Sequence, residues 1–202
     1  MRQFIHTAGF IILASLVIAG CGPSKTVQRI DAGTTVDLSG EWNDTDARLV
    51  AEEMIRDVVS RPWLEQFNEK NNRKPTVVVG KITNRSQDHI EVKGFVKNLE
   101  RELLNAGKVD FVAGAGEREQ IREERKDQAR EASVETQKQS GQEAGADMML
   151  IGTITSIVDQ EGGKKVKFYQ VNMEMIEIES NRKVWIGEKQ IKKFISQDRV
   201  KL

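Results

Sequence analysis

One cysteine, three prolines, two histidines and one tyrosine stand in 202 residues, and each scarcity removes a class of chemistry. A lone cysteine, Cys21, excludes an intrachain disulfide. Of the two histidines, His6 lies in an apolar leader and His89 stands alone, so no His/Cys/Asp cluster has metal-ligand spacing. No serine occupies a nucleophile elbow, and Lys81-Ile82-Thr83 follows an apolar run without the glycines of a phosphate loop. Charge of one sign is also missing. The 31 basic residues balance 31 acidic ones, which leaves no basic surplus for nucleic acid. Many carboxylates remain, but no pair is singled out as acid and base. These absences predict a binding protein rather than an enzyme, with no cofactor, no metal and no nucleic-acid partner.

Long hydrophobic runs are absent too, except one. Arg2 and His6 precede Phe10-Ile11-Ile12-Leu13-Ala14-Ser15-Leu16-Val17-Ile18-Ala19, which is shorter than the roughly 20 apolar residues that span a bilayer. The run closes on Ile18-Ala19-Gly20-Cys21, which looks like a bacterial lipobox. Its small residues admit the backbone to a peptidase cleft, and the cysteine sulfur takes the lipid. The sequence therefore predicts a signal peptide over residues 1–20 and an acylated Cys21 that holds the chain to a membrane. Two or more acyl chains suffice for stable anchoring, since each buried CH₂ contributes ~0.8 kcal/mol. Gly22 stands where an aspartate would favour inner-membrane retention, which points to the outer membrane and a periplasm-facing domain. Residues 22–42 mix Gly, Ser, Thr, Asp and Lys without apolar periodicity. They read as a flexible linker, and residues 43–202 as one globular domain.

Within that domain the periodicities are legible. Asn43-Asp44-Thr45-Asp46 reads as a helix cap, and Ala47, Val50, Ala51, Met54, Ile55 and Val58 recur at three- and four-residue steps. Ser60-Arg61-Pro62 ends this helix and opens a short second one carrying Trp63, Leu64 and Phe67. Pro75 to Ile82 is β-branched and predicts a buried strand, left by the loop Thr83-Asn84-Arg85-Ser86-Gln87. Asp88, with Glu91 three residues on, predicts the cap of a helix whose face is Val92, Phe95, Val96, Leu99 and Leu103, stopped at Gly107. Lys108 to Val112 returns as a strand, so the three elements imply a parallel crossover.

Glu117 to Glu131 is a dense charge run, read as a helix that is either a solvated face or a charged docking surface. Several of its i,i+4 pairs are alike in sign, which should leave it loosely held. A polar helical stretch is expected before Ala144. Met148–Val158, Val166–Ile178 and Val184–Ile195 then read as strands joined at Glu161-Gly162-Gly163-Lys164 and Ser180-Asn181-Arg182, an antiparallel meander. The expected order is α-α-β-α-β-α-α-β-β-β. It makes a mixed α/β domain with one sheet, a parallel βαβ crossover plus the C-terminal meander, flanked by helices.

Four stretches carry a resemblance: Val77 to Ser86, Leu99 to Val112, Ala144 to Gly152 and Lys183-Val184-Trp185-Ile186-Gly187. Together they are similar to the LpoB family, outer-membrane lipoproteins that activate penicillin-binding proteins. The resemblance covers about two-thirds of the chain, and Asn84-Arg85-Ser86 is its most discriminating element. It implies a non-catalytic lipoprotein that docks on a bifunctional class A penicillin-binding protein and stimulates peptidoglycan synthesis. The strand-end loop with Asn84, Arg85 and Ser86 is the expected contact, because such loops carry recognition and Arg85 offers a planar fork for a carboxylate. Asn84 and Ser86 could equally satisfy their own turn. The enteric member carries a long proline-rich tether, whereas the linker here holds only Pro23. A lipoprotein subunit of an envelope secretion or surface-assembly complex, of the curli-export type, shares the fold and is the alternative. Its membrane-entering strands would need clean alternation, and Gln170, Asn172, Glu174 and Glu177 interrupt it.

Overall fold

Asn43 starts the first helix because its side chain accepts the Asp46 N–H (3.1 Å) while its own N–H donates to the Asp46 carboxylate (3.0 Å). This reciprocal cap satisfies two otherwise orphaned donors. Helix α1 then runs Asp44–Val58 and buries Val50, Ala51, Met54, Ile55 and Val58. Val50, Met54, Ile55 and Val58 each contribute about 1.5–3 kcal/mol when fully removed from water. Helix α2, Pro62–Asn71, follows with proline in its first turn and a left-handed stop at Asn72 (φ 53°). The Trp63 indole N–H donates to the Val58 carbonyl at 2.7 Å and fastens α2 to the end of α1.

The computed structural model describes residues 25–196, so the predicted signal peptide and Cys21 lie outside the described residues. Among the described residues, 25–34 and 35–196 form separate units. In the first, Asp31 organises a turn by accepting from the Gly33 N–H (2.7 Å) and, through its carbonyl, from the Thr34 N–H (3.1 Å).

The second unit is a five-stranded mixed sheet in the order β2-β1-β3-β4-β5. Strand β1 spans Thr76–Asn84, helix α3 Val92–Asn105 and strand β2 Asp110–Phe111. Both β2 and β3 (Met148–Glu161) pair with β1 in parallel, which realises the expected crossover. Strands β4 (Lys164–Glu177) and β5 (Lys183–Ser196) complete the antiparallel meander. Gly152 sits where β1 shifts register between Val79 and Ile82. A Cβ there would meet the Asn172 carbonyl at 2.9 Å and Ile82 at 3.2 Å, so glycine lets the three strands close.

The core lies between one face of the sheet and helices α1 and α3. Val171, Met173 and Met175 on β4 meet Leu150 and Ile154 on β3, Phe95, Leu99 and Leu103 on α3, and the α1 stripe. Trp185 belongs to it, buried as its strand pattern predicts, with its indole N–H donating to Asp57 at 2.7 Å. A Cβ at position 187 would overlap the Trp185 ring, so Gly187 allows the indole to lie along its own strand.

Helix α4, Ala115–Glu131, carries no buried residue. Its ties are ion pairs: Glu117 with Lys97 of α3, and Arg122 and Arg125 with Glu143 at 2.8 and 2.9 Å. The helical stretch expected before Ala144 is a correction, because residues 132–147 form short turns and irregular chain. Ser133 and Thr136 bond each other's hydroxyls at 2.9 Å, and Gly141 adopts φ +78°. Small hydroxyl side chains that bond locally compete with a helix, and a positive φ ends it.

Candidate functional site

The loop leaving β1 is built by its own side chains. Asn84, the last residue of β1, donates from Nδ2 to the Asp88 carbonyl at 2.9 Å. Its Oδ1 accepts from the Ser86 N–H (2.9 Å) and the Ser86 hydroxyl (2.6 Å), an Asx turn. Two further bonds clamp the loop to β3: the Arg85 N–H donates to the Ile154 carbonyl (2.7 Å), and the Gln87 N–H to the Ser156 hydroxyl (3.1 Å). Asn84 and Ser86 thus spend their polar atoms on the turn itself. Arg85 is exposed, and its guanidinium makes no hydrogen bond or ion pair among the described residues. Gln87 and His89 are exposed beside it. The loop is a rigid base that presents one arginine.

Asp88 does not cap α3. Glu91 takes that place, its side chain accepting the Lys93 N–H at 3.0 Å. The reason is a stronger claim on Asp88 from the sheet. Lys167 and Tyr169 alternate onto the inner face of β4, are almost wholly buried, and both donate to the Asp88 carboxylate, Lys167 at 2.6 Å. Lys167 also reaches Glu41 at 2.9 Å. Burial pushes the Asp88 carboxyl up, but the bonds from Lys167 and Tyr169 outweigh it and hold it below the usual carboxylate range. Burial followed by the bond to Asp88 drives the Tyr169 phenol well up.

A second buried lysine lies beside the first, for Lys167 and Lys193 face each other across β4 and β5. Lys193 donates to Asp46 and Asp37 (both 2.6 Å) and to the Glu41 carbonyl (3.0 Å). Asp46 therefore both caps α1 and neutralises a buried ammonium. These bonds bring Asp37–Trp42, the end of the segment read as linker, down onto the sheet. Trp42 meets Phe95 and Tyr169 edge-on, with centroids 6.0 and 5.7 Å apart. The two lysines thus draw a strap of chain across the inner face of β4 and β5.

Asp147 has a similar fastening role. It takes Arg73 in a two-pronged pair (2.6 and 2.8 Å) and the Thr76 N–H (2.8 Å), so the Ala146-Asp147 step locks the starts of β1 and β3 together. The bond from Arg73, with that of the Thr76 N–H, lowers its carboxyl against an opposing effect of burial. Among the described residues no His, Cys, Asp and Glu cluster could hold a metal, and no helix is long and apolar enough to cross a membrane.

The family profile described as peptidoglycan-synthase activator LpoB matches residues 46–191. The chain belongs to the LpoB family. That family regulates the chemistry of another enzyme and does not catalyse it. Among solved structures, the LpoB C-terminal domain from Escherichia coli is 15% identical, with a TM-score of 0.43, over 75% of this chain and 99% of that one. The NMR structure of E. coli LpoB is 15% identical, with a TM-score of 0.41, over 87% and 86%. Lipoprotein GNA1162 from Neisseria meningitidis is 14% identical, with a TM-score of 0.38, over 62% and 88%. No curated protein matches. The matched span of the LpoB family takes in the whole sheet except the end of β5, the Asn84–Gln87 loop and both buried acids, Asp46 and Asp88.

Proposed function

We propose that this LpoB-family chain is an outer-membrane lipoprotein, anchored through Cys21, whose domain binds a bifunctional class A penicillin-binding protein and stimulates its synthesis of peptidoglycan. The observation that carries the reading is the family match over residues 46–191. The chain would act by coupling two proteins' conformations and not by chemistry of its own. Cleavage before Cys21 and acylation of its sulfur supply the anchor. The tether is shorter than the 22–42 stretch, because Asp37–Trp42 is bonded to the sheet by Lys167 and Lys193.

Within the domain the contact includes Arg85. Loops on a rigid scaffold carry recognition more often than cores do, and a guanidinium fork matches a carboxylate in two-pronged geometry. Asn84 and Ser86 contribute by holding Arg85 in place. A photo-crosslinking amino acid at position 85, introduced into the full chain in its own cells, is expected to capture a class A synthase. Capture of secretion-complex subunits alone would refute the reading.

A further inference from the structure

Strand β5 is the outer strand of the sheet, and its outer backbone edge has no partner strand among the described residues. It runs 14 residues without proline or glycine kink beyond Gly187, an exposed template of the kind natural sheets usually blunt. Its solvent-facing residues are Ile186, Glu188, Gln190, Lys192 and Phe194. Read outward from Gln190 they are self-complementary: acid on one side and base on the other, then an exposed apolar residue at each end. Ile186 is 64% exposed and Phe194 66%.

We propose that this edge pairs with the β5 edge of a second copy of the chain, antiparallel about a two-fold axis at Gln190. Such an isologous contact places every off-axis pair twice. Glu188 then faces Lys192 of the second copy, Ile186 faces Phe194, and Gln190 faces itself, all on the same side of a continuous ten-stranded sheet. The register is specific. Moving the axis to Lys189 sets Ile186 against Lys192, and moving it to Ile191 sets Glu188 against Phe194. Lys192 makes no ion pair among the described residues of one copy, so its charge is free to be matched across the axis. An edge lysine ordinarily discourages strand pairing; here each one meets a carboxylate. The paired stretch Ile186–Phe194 spans about 30 Å, and opposite-charge and apolar cross-strand pairs both favour it.

The test uses the full chain extracted in detergent. Gln190→Cys is expected to form a disulfide-linked dimer under mild oxidation, because facing Cβ atoms in an antiparallel pair lie about 4.5–5.5 Å apart. Gln170→Cys, on the covered strand β4, is expected to form no disulfide-linked dimer, and neither is the unsubstituted chain. In sedimentation velocity, Glu188→Lys and Lys192→Glu should each weaken self-association about ten-fold or more, since both symmetry-related pairs become like-charged. The two substitutions together should restore it. A chain that stays monomeric up to its solubility limit overturns the proposal. So does a dimer indifferent to the charge reversals, or a Gln190→Cys variant that crosslinks only to an added synthase. The first two results leave the activator reading untouched, since it does not require a dimer, and crosslinking to the synthase alone would support that reading while overturning this one.

Discussion

Replacing Asp88 with alanine tests the buried charge cluster more sharply than any core truncation. The Lys167 side chain is 2% exposed and that of Asp88 is 7%, so the substitution strands an ammonium out of water. Removing one partner of a buried pair costs about 3–5 kcal/mol. Glu41 still reaches Lys167 at 2.9 Å, but its side chain is 51% exposed and water screens it, which places the loss near the lower end. The Tyr169 hydroxyl also loses its acceptor, roughly another 1 kcal/mol. The total is about 4 kcal/mol, and for a domain of this size each kcal/mol lowers the melting temperature by about 2–4 °C. Scanning calorimetry should therefore show a fall of about 8–16 °C. The double variant Asp88→Ala, Lys167→Met removes the orphaned charge and should recover at least half of it. A loss under about 1 kcal/mol for Asp88→Ala, or strict additivity in the double variant, would refute the reasoning.

Acid should weaken the fold through the same groups. Asp88 and Asp147 are held below their ordinary values in the folded chain, so the stability they add is fully present above the unfolded carboxyl value near about 3.9. It is lost as pH falls through the lower folded values. Urea midpoints should be level between about pH 5 and 8 and drop below about pH 4, and Asp147→Asn should flatten that drop. Cys21→Ser should leave the melting temperature unchanged and move the chain from the membrane to the soluble fraction. Retention of the variant in membranes would contradict the anchor.

Local pattern makes most of the architecture readable. The Asn43–Asp46 cap, the α1 stripe, the β1-α3-β2 crossover and the three long strands are each specified by neighbours in sequence, through periods of 3.6 and 2. Asp88 is harder, because Asp-x-x-Glu is a fair capping pattern and nothing nearby reveals Lys167 and Tyr169, 79 and 81 residues away. The strap escapes a local reading for the same reason. Asp37–Trp42 has no apolar period, and its order comes from two lysines and a tyrosine on distant strands. A signal does exist: Lys167 and Lys193 fall at inward positions of alternating strands, and a charge at such a position demands partners. At the site, Asn84 and Ser86 are turn-builders, as their residue types allow. Arg85 is distinguished from them only by the loop's hydrogen bonds, which the sequence does not display.

The most direct test of the account follows lipid II polymerisation by each class A synthase of the organism, with and without the full chain. LpoB-type activation predicts a faster glycan-polymerising rate for at least one synthase and no turnover by the chain alone. It further predicts that Arg85→Ala weakens the stimulation while changing stability by less than about half a kcal/mol. Unchanged rates for every synthase, with no complex formed, would contradict it.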